Sequence, residues 1–67
     1  MACKLRPTIH FKMRQIERGF SDEEVRRAIN EGQRQVDADG KTHGRYGGCR
    51  VVYKERPCNF VLITVTT

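Results

Sequence analysis

The chain has 67 residues and a formal net charge of +5, with 13 Lys and Arg against 8 Asp and Glu. A domain of this length buries only roughly 60% of the surface that its unfolded chain exposes, which predicts one small core. No apolar segment approaches the ~20 residues of a membrane-spanning helix, and none resembles a signal peptide, so the sequence predicts a cytoplasmic protein without a membrane span. The positive net charge favours acidic partners.

The chain begins with a basic segment that ends at a proline. Pro7 disfavours helix at the preceding residue and so marks the predicted start of ordered structure. We therefore divide the chain into a basic N-terminal arm over residues 1–7 and a single domain over residues 8–67.

A first helix is predicted between Thr8 and Gly19. Threonine is a residue type that caps helix starts, and glycine tolerates the left-handed conformation common at helix ends. Ile9, Met13 and Ile16 fall at i, i+4 and i+7 on one face of this helix. This apolar face is expected to pack against the rest of the domain.

A second helix follows directly and ends at Gly32. Ser21 and Glu24 are spaced as a capping box, in which each side chain bonds to the backbone N–H of the other residue. The apolar stripe of this helix consists of Val25, Ala28 and Ile29.

The remaining residues have the pattern of β-strands. Residues 33–39 suit a short edge strand that ends in an Asp-Gly turn, and residues 41–46 fit a second short strand or a loop before two glycines. Residues 49–54 and 60–66 are rich in β-branched and aromatic side chains and predict an antiparallel hairpin. The order α-α-β-β-β predicts an α+β fold with two N-terminal helices packed on an antiparallel sheet of three to four strands.

The three cysteines are an odd number without close spacing, which indicates reduced thiols. Structural zinc sites usually draw their ligands from close pairs such as C-x2-C, and no such pair is present. We predict no metal and no cofactor, although the chain holds residues of the types that bind zinc. These residues are Cys3, His10, His43, Cys49 and Cys58.

A basic stripe on the first helix, formed by His10, Arg14 and Arg18, borders its apolar face. Metal-free RNA cleavage needs a base for the 2′-OH proton and fixed cations for the charge on phosphorus, and a histidine beside two arginines supplies both. The alternative is structural: Arg14 pairs with a neighbouring acid in solvent and His10 is half buried at the helix start.

A second basic cluster surrounds the predicted hairpin. Its tyrosines could stack on nucleic-acid bases, or they could pack against neighbouring strands. His43, between Thr42 and Gly44, could be a second acid–base group or an exposed loop histidine. The cluster consists of Arg45, Tyr46, Arg50, Tyr53, Lys54 and Arg56.

Several segments together resemble the small bacterial domains classed as DUF4258. They are His10-Phe-Lys-Met-Arg14, Arg18-Gly-Phe-Ser21 with the acidic helix that ends at Gly32, and the strand Val61-Leu-Ile-Thr-Val65. That family is grouped by fold with the RelE, barnase and colicin type ribonuclease toxins, so the resemblance implies a RelE-like fold and cleavage of RNA without metal.

Carried onto this chain, the resemblance matches His10 and Arg14 to the family's helix pair, Arg18 to its turn arginine and Thr64 to the polar position of its last strand. We accordingly predict His10, Arg14 and Thr64 as catalytic residues of a metal-independent endoribonuclease. The predicted nucleic-acid-binding residues are Arg18, Arg45, Arg50, Tyr53 and Lys54. The alternative is a non-catalytic domain that binds an acidic protein, such as an antitoxin or an immunity protein.

Overall fold

The computed structural model describes residues 4–57 and 59–66. In chain order the elements are β1 (Lys4–Pro7), α1 (Ile9–Arg18), α2 (Asp22–Asn30), β2 (Gln33–Val36), β3 (Thr42–Tyr46), β4 (Cys49–Arg56) and β5 (Asn59–Thr66). The strands form one five-stranded sheet in the order β1-β5-β4-β3-β2. α1 packs over β5, and α2 packs over β3 and β4. The predicted α+β class is therefore confirmed.

The sheet is larger than predicted and is mixed rather than antiparallel. Residues 4–7 of the predicted arm form the edge strand β1, which runs parallel to β5 with Leu5 opposite Phe60. Both of these side chains pack against the core. Four residues that end in a proline carry little strand pattern, and their partner strand lies at the other end of the sequence. Met1 to Cys3, the start of the predicted arm, lie outside the described residues.

The predicted ends of α1 are confirmed, and Thr8 joins the helix to the sheet. The Thr8 hydroxyl accepts a hydrogen bond from the Phe11 N–H at 3.1 Å and donates one to the Leu62 carbonyl of β5 at 3.0 Å. At the other end, Gly19 has a φ of 74°, and its N–H donates to the Gln15 carbonyl at 2.9 Å. A residue with a side chain rarely adopts this φ, so glycine is favoured there.

The predicted packing face of α1 is wrong. Phe11 is the buried residue of this helix, whereas Ile9, Met13 and Ile16 are exposed. The anchoring of Thr8 to β5 fixes how the helix is rotated, and this rotation turns Phe11 toward the sheet. An aromatic ring also buries a large apolar surface as a single side chain.

The predicted start and stripe of α2 are both confirmed. Ser21 and Glu24 exchange side chain to backbone hydrogen bonds of 3.0 and 3.1 Å, which is the capping box. Val25, Ala28 and Ile29 are buried in the core that the helices share with β4 and β5. None of the described helices has the length and apolar character to cross a membrane.

The second half of the chain follows the predicted strand order. β2 is an edge strand, β3 is a strand rather than a loop, and β4 and β5 form the antiparallel hairpin. The β4–β5 register shifts between Val52, which pairs with Thr64, and Tyr53, which pairs with Leu62. Such an irregularity is a β-bulge, because an extra residue is accommodated in one strand.

Candidate nucleic-acid interface

One face of the sheet is covered by the helices, and the other, which we call the open face, has no helix packed on it in the described structure. Side chains alternate between the two faces along a strand, and directly paired residues share a face. Cys49, Val51 and Tyr53 of β4 lie in the core beneath the helices, so Arg50, Val52 and Lys54 belong to the open face.

Strand pairing extends this assignment across the sheet in four rows. The rows are Gln33–Arg45–Arg50–Thr66, Gln35–His43–Val52–Thr64, Lys54–Val61–Arg6 and Arg56–Asn59–Lys4. Successive rows lie two residues apart along the strands, or roughly 7 Å, except on β5, where the register shift separates Thr64 from Val61 by three residues. Every row contains a basic side chain or a histidine, and no member is acidic.

The acidic residues lie elsewhere. Asp22, Glu23 and Glu24 occupy the first turn of α2, and Glu55 approaches Arg34 at 3.6 Å. Asp37 stands at the border of the open face, just after β2. The open face is therefore positively charged as a whole, as nucleic-acid-binding surfaces commonly are.

His43 and Asp37 form a polar contact at the edge of this face. The Asp37 Oδ2 lies 2.9 Å from the His43 Nε2. The other carboxylate oxygen accepts hydrogen bonds from the backbone N–H groups of Asp39 at 2.9 Å and Lys41 at 3.0 Å. The hydrogen bond from His43, followed by that from the Lys41 backbone, lowers the pKa of the Asp37 carboxyl. A carboxylate held in this way favours a proton on Nε2 and leaves the lone pair of a neutral imidazole on Nδ1.

Two arginines lie next to this pair. Arg45 and Arg50 are directly opposite each other in the β3–β4 ladder, in the row beside that of His43. Like charges in such a position repel each other, and neither arginine forms an ion pair with a described acidic residue. An anion bound between the guanidinium groups would relieve this repulsion, and arginine suits phosphate in particular.

A groove of about 420 Å³ runs along the β2–β3 edge of the open face. Asp37, His43, Arg45 and Arg50 all contribute to its walls, together with Gln33 and Gln35 of β2. The groove thus combines an oriented imidazole, two unneutralised cations and two amide side chains. These groups are those that a general base and a phosphate-binding site require.

The predicted site residues of α1, which are His10 and Arg14 as catalytic residues and Arg18 as a nucleic-acid-binding residue, lie on the other side of the sheet. His10 and Arg18 are exposed on α1, and Arg14 is partly buried there. Thr64 pairs with Val52, which also pairs with His43, and therefore belongs to the open face. The structure does not bring His10, Arg14 and Thr64 together. It places Thr64 two strands, or roughly 10 Å, from His43.

Of the residues predicted to bind nucleic acid, Arg45, Arg50 and Lys54 share the open face, whereas Arg18 does not. Tyr53 was predicted to stack on bases, but it is 0% exposed in the core, so its ring is not accessible to a base. The ring packs against Phe60 with the centroids 5.4 Å apart. Burial raises the pKa of its hydroxyl, which has no hydrogen-bond partner among the described residues.

The cysteine and histidine residues considered as zinc ligands are scattered where the structure describes them. Cys49 is buried under the helices, and burial raises the pKa of its thiol to about 11. His43 is on the opposite face, and His10 is on α1. Cys3 and Cys58 lie outside the described residues. Within residues 4–57 and 59–66, no group of three potential ligands is close enough to hold a metal ion.

Sequence reasoning missed Asp37 as a site residue. A signal for it was present, since an aspartate two residues before the Asp39-Gly40 turn can accept hydrogen bonds from backbone N–H groups ahead of it. Asp37 directly follows β2, and His43 lies on β3, which pairs with β2. An aspartate held by such a turn, with a histidine on the facing strand, could therefore have been predicted to contact that histidine.

The sequence matches the family described as Domain of unknown function (DUF4258) over residues 8–67, and the chain therefore belongs to that family. No curated protein and no solved structure matches it significantly.

Proposed function

We propose that this member of the DUF4258 family binds single-stranded RNA on the open face of its sheet and cleaves it with His43 as the general base. The observation that carries the proposal is the contact of 2.9 Å between Asp37 and His43, in a groove that also contains Arg45 and Arg50. The imidazole is held by Asp37, and the two arginines beside it have no acidic partner among the described residues. This arrangement suits the cleavage of a phosphate ester better than a purely structural role.

The reaction follows from the roles of these groups. The His43 Nδ1 takes the proton of a ribose 2′-OH, and the 2′-oxygen forms a bond to the adjacent phosphorus. Arg45 and Arg50 stabilise the negative charge that builds up on the phosphoryl oxygens. The bond from phosphorus to the 5′-oxygen then breaks, and this oxygen takes a proton from water. The hydroxide that remains takes the proton held by His43, which restores the neutral imidazole. The products are a 2′,3′-cyclic phosphate and a free 5′-hydroxyl, and no oxidant or metal enters the balance.

The rest of the open face supports binding through phosphates rather than bases. Its described members include no aromatic side chain on which a base could stack. Lys54 and Arg6 in one row and Arg56 and Lys4 in the next continue the positive surface away from the groove. We therefore expect weak sequence preference and a strong dependence of affinity on salt.

A relation to the RelE, barnase and colicin type ribonuclease toxins is part of this proposal. It rests on the resemblance of the sequence to a family grouped with those toxins. The site proposed here differs from the one that the resemblance implied, because it uses His43 on β3 rather than His10 on α1.

Cleavage is tested by incubating the protein with a single-stranded RNA and with DNA of the same sequence, each with and without a chelator. We expect the RNA alone to be cut, to cyclic phosphate ends, whether or not chelator is present. His43→Ala should lower the rate by roughly 10²–10⁴-fold while RNA affinity is nearly kept, since a general base acts mainly on the transition state.

His10→Ala is the matched control, because it removes the other histidine from an exposed position on α1. Its rate should equal that of the wild type. If His10→Ala abolishes cleavage and His43→Ala does not, the site proposed on the sheet is wrong.

Binding is tested separately by measuring RNA affinity over a series of salt concentrations. Arg45→Ala and Arg50→Ala should each flatten the log–log slope by about 0.7, the value for one phosphate contact to a single strand. Arg26→Ala, on the exposed side of α2, should leave the slope unchanged. Intact RNA together with affinities that ignore Arg45 and Arg50 would reject RNA as the ligand and favour an acidic protein instead.

A further inference from the structure

The exposed side of α1 is apolar. Ile9 is 82% exposed, Met13 58% and Ile16 80%. We call these residues the α1 stripe. They lie on the side of the helix away from Phe11, which is 1% exposed against the sheet. Isolated apolar residues on a surface are common, but three in line along one helix form a continuous patch.

The spacing of the α1 stripe is that of a coiled-coil seam. Ile9, Met13 and Ile16 are four and then three residues apart, which corresponds to heptad positions d, a and d. The same assignment places Lys12 at position g and Glu17 at position e, on the two borders of the stripe. Neither of these side chains forms an ion pair with a described residue.

We propose that the α1 stripe packs against the α1 stripe of a second copy of this chain, with the two helices parallel about a two-fold axis. The apolar side chains would form the seam between the copies. Small domains often add an oligomer interface because a single small core supplies little stability. The proposal is independent of RNA binding, which uses the other side of the sheet.

The border charges select both the partner and the direction. In a parallel pair, position g of one helix meets position e of the other helix five residues further on. Lys12 would then face Glu17 of the partner subunit, and the two-fold axis would repeat this contact. In an antiparallel pair Lys12 would face Lys12 of the partner subunit, which is repulsive.

The position of the stripe also leaves room for a partner. Because the α1 stripe is opposite Phe11, the bodies of the two copies would lie on opposite sides of the helix pair. α1 has ten residues and is therefore only about 15 Å long. An interface of this length falls short of the roughly 800 Å² per partner that stable complexes bury, so a weak and concentration-dependent dimer is expected.

The first test is sedimentation equilibrium of the whole chain from micromolar to millimolar concentration. The wild type should convert reversibly from monomer to dimer. Met13→Glu places a charge in the middle of the seam and should keep the chain monomeric. Its circular dichroism and its RNA affinity should match those of the wild type, because the side chain is exposed and remote from the open face.

The second test exchanges the border charges. Lys12→Glu and Glu17→Lys should each lower the association constant about 3- to 30-fold, because each replaces two attractive surface contacts by repulsive ones. The double variant restores opposite charges and should recover the wild-type constant. Net charge cannot produce this pattern, because one single substitution lowers the positive charge and the other raises it.

Three outcomes would overturn the proposal. One is a wild-type chain that stays monomeric at millimolar concentration. Another is a dimer that Met13→Glu leaves intact, which would place the interface elsewhere. The third is a double charge variant that associates no better than the single variants, which would exclude the parallel arrangement.

Discussion

The two faces of this sheet are built from the same strands but carry opposite chemistry. On β4, Val51 and Tyr53 are fully buried beneath the helices, while Arg50 and Lys54 alternate with them on the open face. The covered face holds the apolar contacts that oppose unfolding. The open face holds unneutralised positive charge that contributes little to stability and could bind an anion. A sheet covered on one side can thus separate folding from function.

Substitutions on the covered side should change the free energy of unfolding, whereas those on the open face should change binding and leave that energy nearly constant. α1 provides a test of the same kind within a single helix, because one side of it is buried and the other is exposed.

The largest effect is expected from Phe11→Ala. Removing a buried phenyl group should lower the free energy of unfolding by about 3–5 kcal/mol, through lost apolar burial and the cavity left behind. Denaturant unfolding followed by circular dichroism at low micromolar concentration measures this loss. In so small a domain the loss can unfold the chain outright, which would agree with the prediction.

Ile9→Ala is the matched control, since it removes a large apolar side chain from the exposed side of the same helix. Its unfolding free energy should stay within about 0.5 kcal/mol of the wild type. Equal losses for Phe11→Ala and Ile9→Ala would mean that α1 does not face the sheet through Phe11.

The two helices also mark the limit of what sequence periodicity can predict. In α2 the apolar stripe is the only large apolar surface, and the structure buries it as predicted. In α1 the pattern correctly identified an apolar face but wrongly assigned it to the core. Periodicity alone does not show whether three aliphatic residues or one phenylalanine on the opposite side of the helix will be buried. The hydrogen bonds from Thr8 to β5 that settle this choice are contacts between distant parts of the chain.

The same limit applies to the candidate site. Arg45 and Arg50 could be predicted as a cluster because they are near in sequence and flank two turn glycines. The contact of Asp37 with His43 depends on the β2–β3 register. The sequence predicted a short strand followed by a strand or a loop, and it did not predict how the two segments pair. Thr64 joins the open face through the β4–β5 pairing, and its separation from His10 depends on which face α1 covers.

A smaller loss is expected from Gly44→Ala, which probes the covered side directly beneath the site. A Cβ built on Gly44 would lie 2.5 Å from the Ala28 carbonyl oxygen of α2. Because this neighbour is backbone, the helix must shift, and we expect destabilisation of about 1–3 kcal/mol. Gly48→Ala is the control, since its added Cβ would meet no atom within 4 Å. If Gly44→Ala is as stable as Gly48→Ala, the close approach of α2 to β3 is incorrect.

The smallest effect concerns pH and Asp37→Asn. Since hydrogen bonding lowers the pKa of Asp37 from its ordinary value of 3.8, the ionised carboxylate stabilises the fold above that value. This contribution is lost as the pH falls through the lowered pKa. The wild type should therefore be slightly more stable than Asp37→Asn near neutral pH, and the difference should shrink in acid below about pH 4.

Thermal unfolding of both chains between neutral pH and pH 2 measures this difference. Asp39→Asn serves as the control, because Asp39 contributes its backbone N–H to the turn, while its carboxylate makes no hydrogen bond to a described residue. It should follow the wild type at every pH. A gap between wild type and Asp37→Asn that stays constant down to pH 2 would mean that the ionised carboxylate does not hold His43. The oriented imidazole on the open face would then lose its structural basis, although the positive charge around it would remain.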